Sequence, residues 1–131
     1  MQIYYEKKVS HELKQAIEDL KKELASSGFG VLWELNFKDK FKEKGIEYKH
    51  NFWIFEVCNP KIAIGVLESN QKAGYFLPCK MVVYENDQGV FTGMAKPTEL
   101  IGMLDDSKDL VETAKEVENT LSQVIDNLAN S

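Results

Sequence analysis

The chain contains no arginine: all 16 of its basic residues are lysine. That excludes a bidentate guanidinium clamp on a carboxylate or phosphate, and an arginine finger, because lysine offers only a point charge. The basic surplus of a general nucleic-acid binder is missing too, since 21 acidic residues give a formal net charge of −5. Cysteine and histidine are scarce, at two residues each, and Cys58 and Cys79 form no CxxC pair or zinc-finger spacing. No apolar run approaches the ~20 residues that a membrane-spanning helix needs. Neither a GxxxxGK[ST] loop, a GxGxxG fingerprint nor a GxSxG elbow occurs. Met1–Val9 alternates in polarity and includes Glu6, Lys7 and Lys8, unlike a targeting segment. The expectation is a soluble cytoplasmic protein without nucleic-acid or membrane partners, its cysteines free thiols.

What remains is ordinary globular material: 131 residues, 44% hydrophobic and 28% charged, enough for one domain over 1–131. Gln2–Val9 alternates as a strand. Ser10 is positioned to cap a helix whose stripe is Leu13, Ile17, Leu20 and Leu24, stopped by Gly28. Val31, Trp33, Leu35 and Phe37 alternate with Leu32, Glu34 and Asn36, which predicts a strand over 29–37 with one strongly apolar face. A short charged helix over 38–44 carries Phe41. Asn51–Cys58 reads as a strand covered on both faces. Asn59 then caps a helix with Pro60 in its first turn and Ile62, Ala63, Val66 and Leu67 as its apolar stripe. A long strand is predicted over Gly74–Glu85, with a hairpin turn at 86–89, a return strand over Val90–Ala95 and a short helix over 98–104.

The last predicted helix, within 107–131, is the longest. Leu110, Ala114, Val117, Leu121, Val124 and Leu128 form a narrow seam, which suits packing on the rest of the fold or, as the alternative, a dimer seam. Residues 98–131 hold eight acids, Asp106 among them, and two lysines, so nearly all the net charge sits there, on a solvated face. The order predicts an α+β fold: a single curved, mostly antiparallel sheet of about five strands, helices packed on one face, β-α-β-β-β-β-α plus short connecting helices.

One place on this fold suggests chemistry. Cys58 ends a strand just before a helix N-terminus, where unpaired N–H groups and the helix dipole favour a thiolate. If the 51–58 and 74–85 strands are antiparallel neighbours, the end of one lies beside the start of the other. Cys79 then approaches Cys58, with Glu56 and Lys80 flanking. Strand alternation puts Cys79 with Met81 and Val83 but Cys58 with Phe52, Ile54 and Glu56, and the sequence leaves open whether those faces coincide. The competing reading makes both cysteines small core hydrophobes, and Pro78 a proline at a strand start or edge. His50 completes a weak candidate Cys58–Cys79–His50 metal set; no metal or other cofactor is otherwise expected.

Glu56-Val57-Cys58-Asn59-Pro60, Ala63, Leu77-Pro78-Cys79, Gly28-Phe29-Gly30-Val31 and the Val82-Val83-Tyr84 strand together resemble the pattern of domain-of-unknown-function family 302 over about residues 1–105. The resemblance implies a small α+β fold similar to half of the TATA-binding-protein fold, commonly a homodimer, with no established activity. Its signature falls on Cys58, Asn59, Pro60, Pro78 and Cys79; Lys80 departs from the small polar residue expected there. Two functions follow. One is a dithiol site at Cys58 and Cys79 for redox chemistry or a small soft ligand. The other is a non-catalytic dimeric binding or assembly module with structural cysteines.

Overall fold

A computed structural model describes residues 2–105 and 107–131; Met1, and Asp106 among the C-terminal acids, lie outside it. Five strands, β1 (Tyr4–Val9), β2 (Gly30–Asn36), β3 (Asn51–Cys58), β4 (Cys79–Asn86) and β5 (Gly89–Ala95), form one antiparallel sheet in the order β1-β5-β4-β3-β2. The helices are α1 (Leu13–Ser26), α2 (Phe37–Glu43), α3 (Pro60–Ser69), α4 (Pro97–Leu104) and α5 (Lys108–Ala129), with a 3-10 helix over Gln71–Phe76. The α+β sheet architecture is the one read from the sequence.

α1 and α5 cover one face of the sheet. Their stripes meet Phe55 and Val57 of β3, Met81 and Val83 of β4, and Val90 and Met94 of β5 in the main core. The α5 seam is consumed in this packing: Leu121, Val124 and Leu128 are buried within the chain, which corrects the alternative of a dimer seam along this helix. The solvated-face reading of the acidic segment needs amendment at two positions. Asp126 accepts the Tyr5 hydroxyl at 2.5 Å and pairs with Lys7 at 2.9 Å, tying α5 to β1. Glu118 accepts from Thr98 N and Oγ1, tying α5 to the start of α4.

α1 ends as its sequence predicts. Gly28 sits at φ +83°, its N–H bonds Ala25 O, and the Phe29 N–H returns to Leu24 O, closing the C-terminal turn. The start differs: Glu12, not Ser10, occupies the cap position, and its side chain makes no capping bond. Ser10 instead donates to the Ser131 carbonyl.

β2 departs from simple alternation. The register shifts between Val31 and Trp33, so Leu32 is the extra residue of a bulge. Val31 packs against the main core, whereas Trp33 and Leu35 turn to the sheet's uncovered face and Glu34 turns to α1, pairing with Lys21 at 2.8 Å. The single apolar face predicted for 29–37 is therefore split across both sides. On the uncovered face Phe37 of α2 meets Phe52 edge-on at 6.1 Å, and Phe52, Tyr84 and Phe91 stack in series at centroid distances of 5.1 and 5.3 Å.

β4 is shorter than predicted. Asn70 caps the 3-10 helix by accepting from Lys72 N, so residues 71–76 coil rather than extend, and the Leu77–Pro78 peptide bond is cis. The strand begins at Cys79, which leaves Pro78 immediately before it.

Candidate functional site

β3 and β4 pair antiparallel, as proximity of the cysteines requires, but the register separates them. Val57 lies opposite Cys79, and Glu56 opposite Lys80. Side chains alternate along a strand, so Cys79 shares the helix-covered face with Val57, while Cys58 belongs to the phase of Ile54 and Glu56. The expected dithiol is thereby corrected: the two cysteines are not close to each other, and neither is in a disulfide in this structure.

The expected thiolate at Cys58 is corrected as well. Asn59 caps α3 with its own side chain, Oδ1 accepting from Lys61 N at 3.1 Å and Ile62 N at 3.4 Å. The first amides of the helix are thus already engaged, and burial pushes the Cys58 thiol up, not down. Cys79 is more extreme. Burial first, then the charges of Cys58 and Glu56, push it up to about 11. At neutral pH both are protonated thiols, small polarizable groups rather than nucleophiles.

The metal set does not assemble. His50 precedes β3 and Cys58 ends it, so they sit at opposite ends of an eight-residue strand. Among the described residues no group of three or more His, Cys, Asp or Glu is arranged to hold a metal ion.

What the signature residues do share is a cavity. Cys58, Asn59, Pro78 and Cys79 border a space of about 390 Å³, within the usual size range of small-molecule sites. Glu56 and Lys80 border it from the strand ends, although alternation turns their side chains toward the uncovered face. The space lies along the seam between two core clusters. On one side stand Phe29, Val57 and Val117 of the main core; on the other stand Val66, Ile101, Leu110 and Ala114 of a smaller one. Interiors normally close to crystal-like density, with few voids larger than a water. Here they do not, because α3, the 3-10 helix and α4 form a separate cap over the strand ends. That cap is held to α5 at its ends by Glu118 on Thr98 and, at the turn before α5, by the Asn70 amide donating to Asp105 at 2.9 Å.

Sequence reasoning found the floor of this cavity and missed its walls. Leu100, Ile101, Leu110, Thr113 and Ala114 come from the C-terminal third of the chain. One signal was available: Ala63 and Ala114 are small residues on apolar helical stripes, and both border the space.

The family model described as domain of unknown function DUF302 matches residues 5–128. The crystal structure of an uncharacterized conserved DUF302 protein from Bacillus stearothermophilus is similar throughout, with 40% sequence identity and a TM-score of 0.92 over 98% of this chain and 99% of that one. No curated protein matches the chain.

Proposed function

Since the chain belongs to the DUF302 family, we propose a function from its cavity: the protein binds a small molecule between the strand ends of β3 and β4 and the α3–α4 cap. The carrying observation is the coincidence of the Cys58-Asn59 and Leu77-Pro78-Cys79 segments on one apolar cavity of about 390 Å³. Cys79 is a contact group in this reading, Cys58 borders the space from the end of β3, and no dithiol redox couple is part of it. The protein works in the cytoplasm, where thiols are ordinarily reduced. Titration with an uncharged environment-sensitive dye such as N-phenyl-1-naphthylamine tests the reading: saturable binding is expected, abolished in Ala63→Phe, which fills the cavity from a half-buried position. Unchanged dye binding in a folded Ala63→Phe protein refutes it.

A second reading concerns partners. The uncovered sheet face carries Leu35, Ile54 and Val82 in a row across β2, β3 and β4, beside half-exposed Trp33. An apolar sheet face of this kind favours association, and the proposed partner is a second copy of the chain. Sedimentation of Ile54→Glu beside the parent protein decides: loss of a dimer supports it, and a monomeric parent at micromolar concentration overturns it.

A further inference from the structure

The chemistry of the cavity narrows its ligand, on the premise that the cavity is a binding site. Its walls are chiefly aliphatic: Val57 and Val117 on the main-core side, Val66, Ile101 and Leu110 on the side of the smaller cluster, with Phe29, exposed Tyr75 and Phe76 also at its border. The charged neighbours stand at the border: Glu56 and Lys80, like Cys58, lie in the strand phase of the sheet's other face, and the Glu56 charge reaches the site only as a repulsion that raises the Cys79 pKa. Burial keeps both thiols protonated at neutral pH, so they add no charge either. A charged group brought inside would lose its hydration without an opposite charge to replace it. Few polar groups remain. Asn59 commits its side-chain oxygen to the first amides of α3, and Thr113 brings a hydroxyl from α5.

From these we infer that the cavity takes an uncharged, single-chain aliphatic molecule carrying one hydroxyl or carbonyl group, its chain along the seam between the two core clusters. A space of about 390 Å³ lies toward the small end of the range of small-molecule sites, room for a chain on the order of ten heavy atoms. A flat, rigid ring system would match this seam less well, since its walls carry branched side chains from four separate elements, β3, α3, α4 and α5.

Linear 1-alkanols from butanol to dodecanol, competed against the uncharged dye N-phenyl-1-naphthylamine on the reduced full-length protein at pH 7, test the inference. Affinity should rise about fourfold for each added methylene, the increment set by burying one CH₂, and level off once the cavity is full. Octanoate should bind at least tenfold more weakly than octanol, and 2-naphthol more weakly than an alkanol of equal carbon count. Thr113→Trp, a second half-buried position on the cavity wall, should abolish alkanol binding, whereas Lys42→Glu on the exposed side of α2 should leave it intact. Dye that binds and is displaced better by octanoate or naphthol overturns the ligand class and leaves the cavity reading standing. The same holds for competition that does not depend on chain length. Absence of both dye and alkanol binding to the folded protein overturns the cavity reading itself.

Discussion

The Cys79 thiol offers a quantitative check on the neutral cavity floor. In a Cys58→Ser variant it is the sole thiol, and its ionisation is reported by thiolate absorbance near 240 nm and by the alkylation rate with iodoacetamide. An unburied thiol of ordinary value 9.0 is about 9% ionised at pH 8, and one pushed up to about 11 is about 0.1% ionised, nearly a hundredfold less. The intrinsic nucleophilicity of a higher-pKa thiolate returns about tenfold of that, so ionisation alone slows alkylation at pH 8 by about tenfold. Removing Cys58 takes away a secondary contribution, so burial must supply most of the effect. The rate should therefore keep rising through pH 9 without levelling. Stability follows the same linkage. The native thiol binds its proton more tightly than the unfolded one, so its contribution is complete below pH 9 and is lost as pH climbs toward 11. Every tenfold by which folding tightens the proton is worth about 1.4 kcal/mol, so urea midpoints should fall between pH 9 and 10 in Cys58→Ser and stay flatter in Cys58→Ser/Cys79→Ala. A rate plateau or a 240 nm midpoint below pH 9 refutes a buried, neutral Cys79.

Three further outcomes follow from the fold. Asn59→Ala removes the cap of α3 and should cost about 1 kcal/mol in urea denaturation, with Asn59→Asp recovering most of it. Gly93→Ala should destabilise by about 1–3 kcal/mol, because a Cβ there lies 2.7 Å from the Glu6 Cβ and 2.8 Å from the Tyr5 carbonyl across the β1–β5 pair; an unchanged urea midpoint contradicts that packing. Asp126 is held below its usual value by the Tyr5 hydroxyl and then by Lys7, so its contribution is present above the unfolded carboxylate value near 4 and is lost as pH falls through the native one. Asp126→Asn should therefore be less stable than the parent at pH 6 and approach it near pH 2, as read by thermal midpoints.

The elements were legible where local chemistry dictates them. Asn59-Pro60 starts α3, Gly28 stops α1, and the 86–89 turn joins β4 to β5, each through a side chain or backbone preference that acts within a few residues. Two local exceptions hid in composition. The apolar alternation of 29–37 is broken by one extra residue, Leu32, which no residue preference announces. The predicted strand start at Gly74 yields to an Asn70-capped 3-10 turn. The candidate site was legible as a location and misread as chemistry. Neighbouring antiparallel strands bring their ends together, but a register that places Val57 opposite Cys79 decides which side chains meet, and that register is a long-range fact. The helix terminus that should have activated Cys58 is engaged by the next residue, Asn59. The cavity walls were invisible because they are assembled from segments far apart along the chain, from Cys58 to Val117.

Methyl-resolved NMR with 1-decanol tests most directly whether an uncharged aliphatic molecule occupies the seam between the two cores. Occupancy predicts saturable shifts at Ala63, Ile101, Ala114 and Val117, with Leu35, Ile54 and Val82 on the uncovered face unmoved. Shifts confined to the uncovered face, or none at saturating decanol, would contradict it.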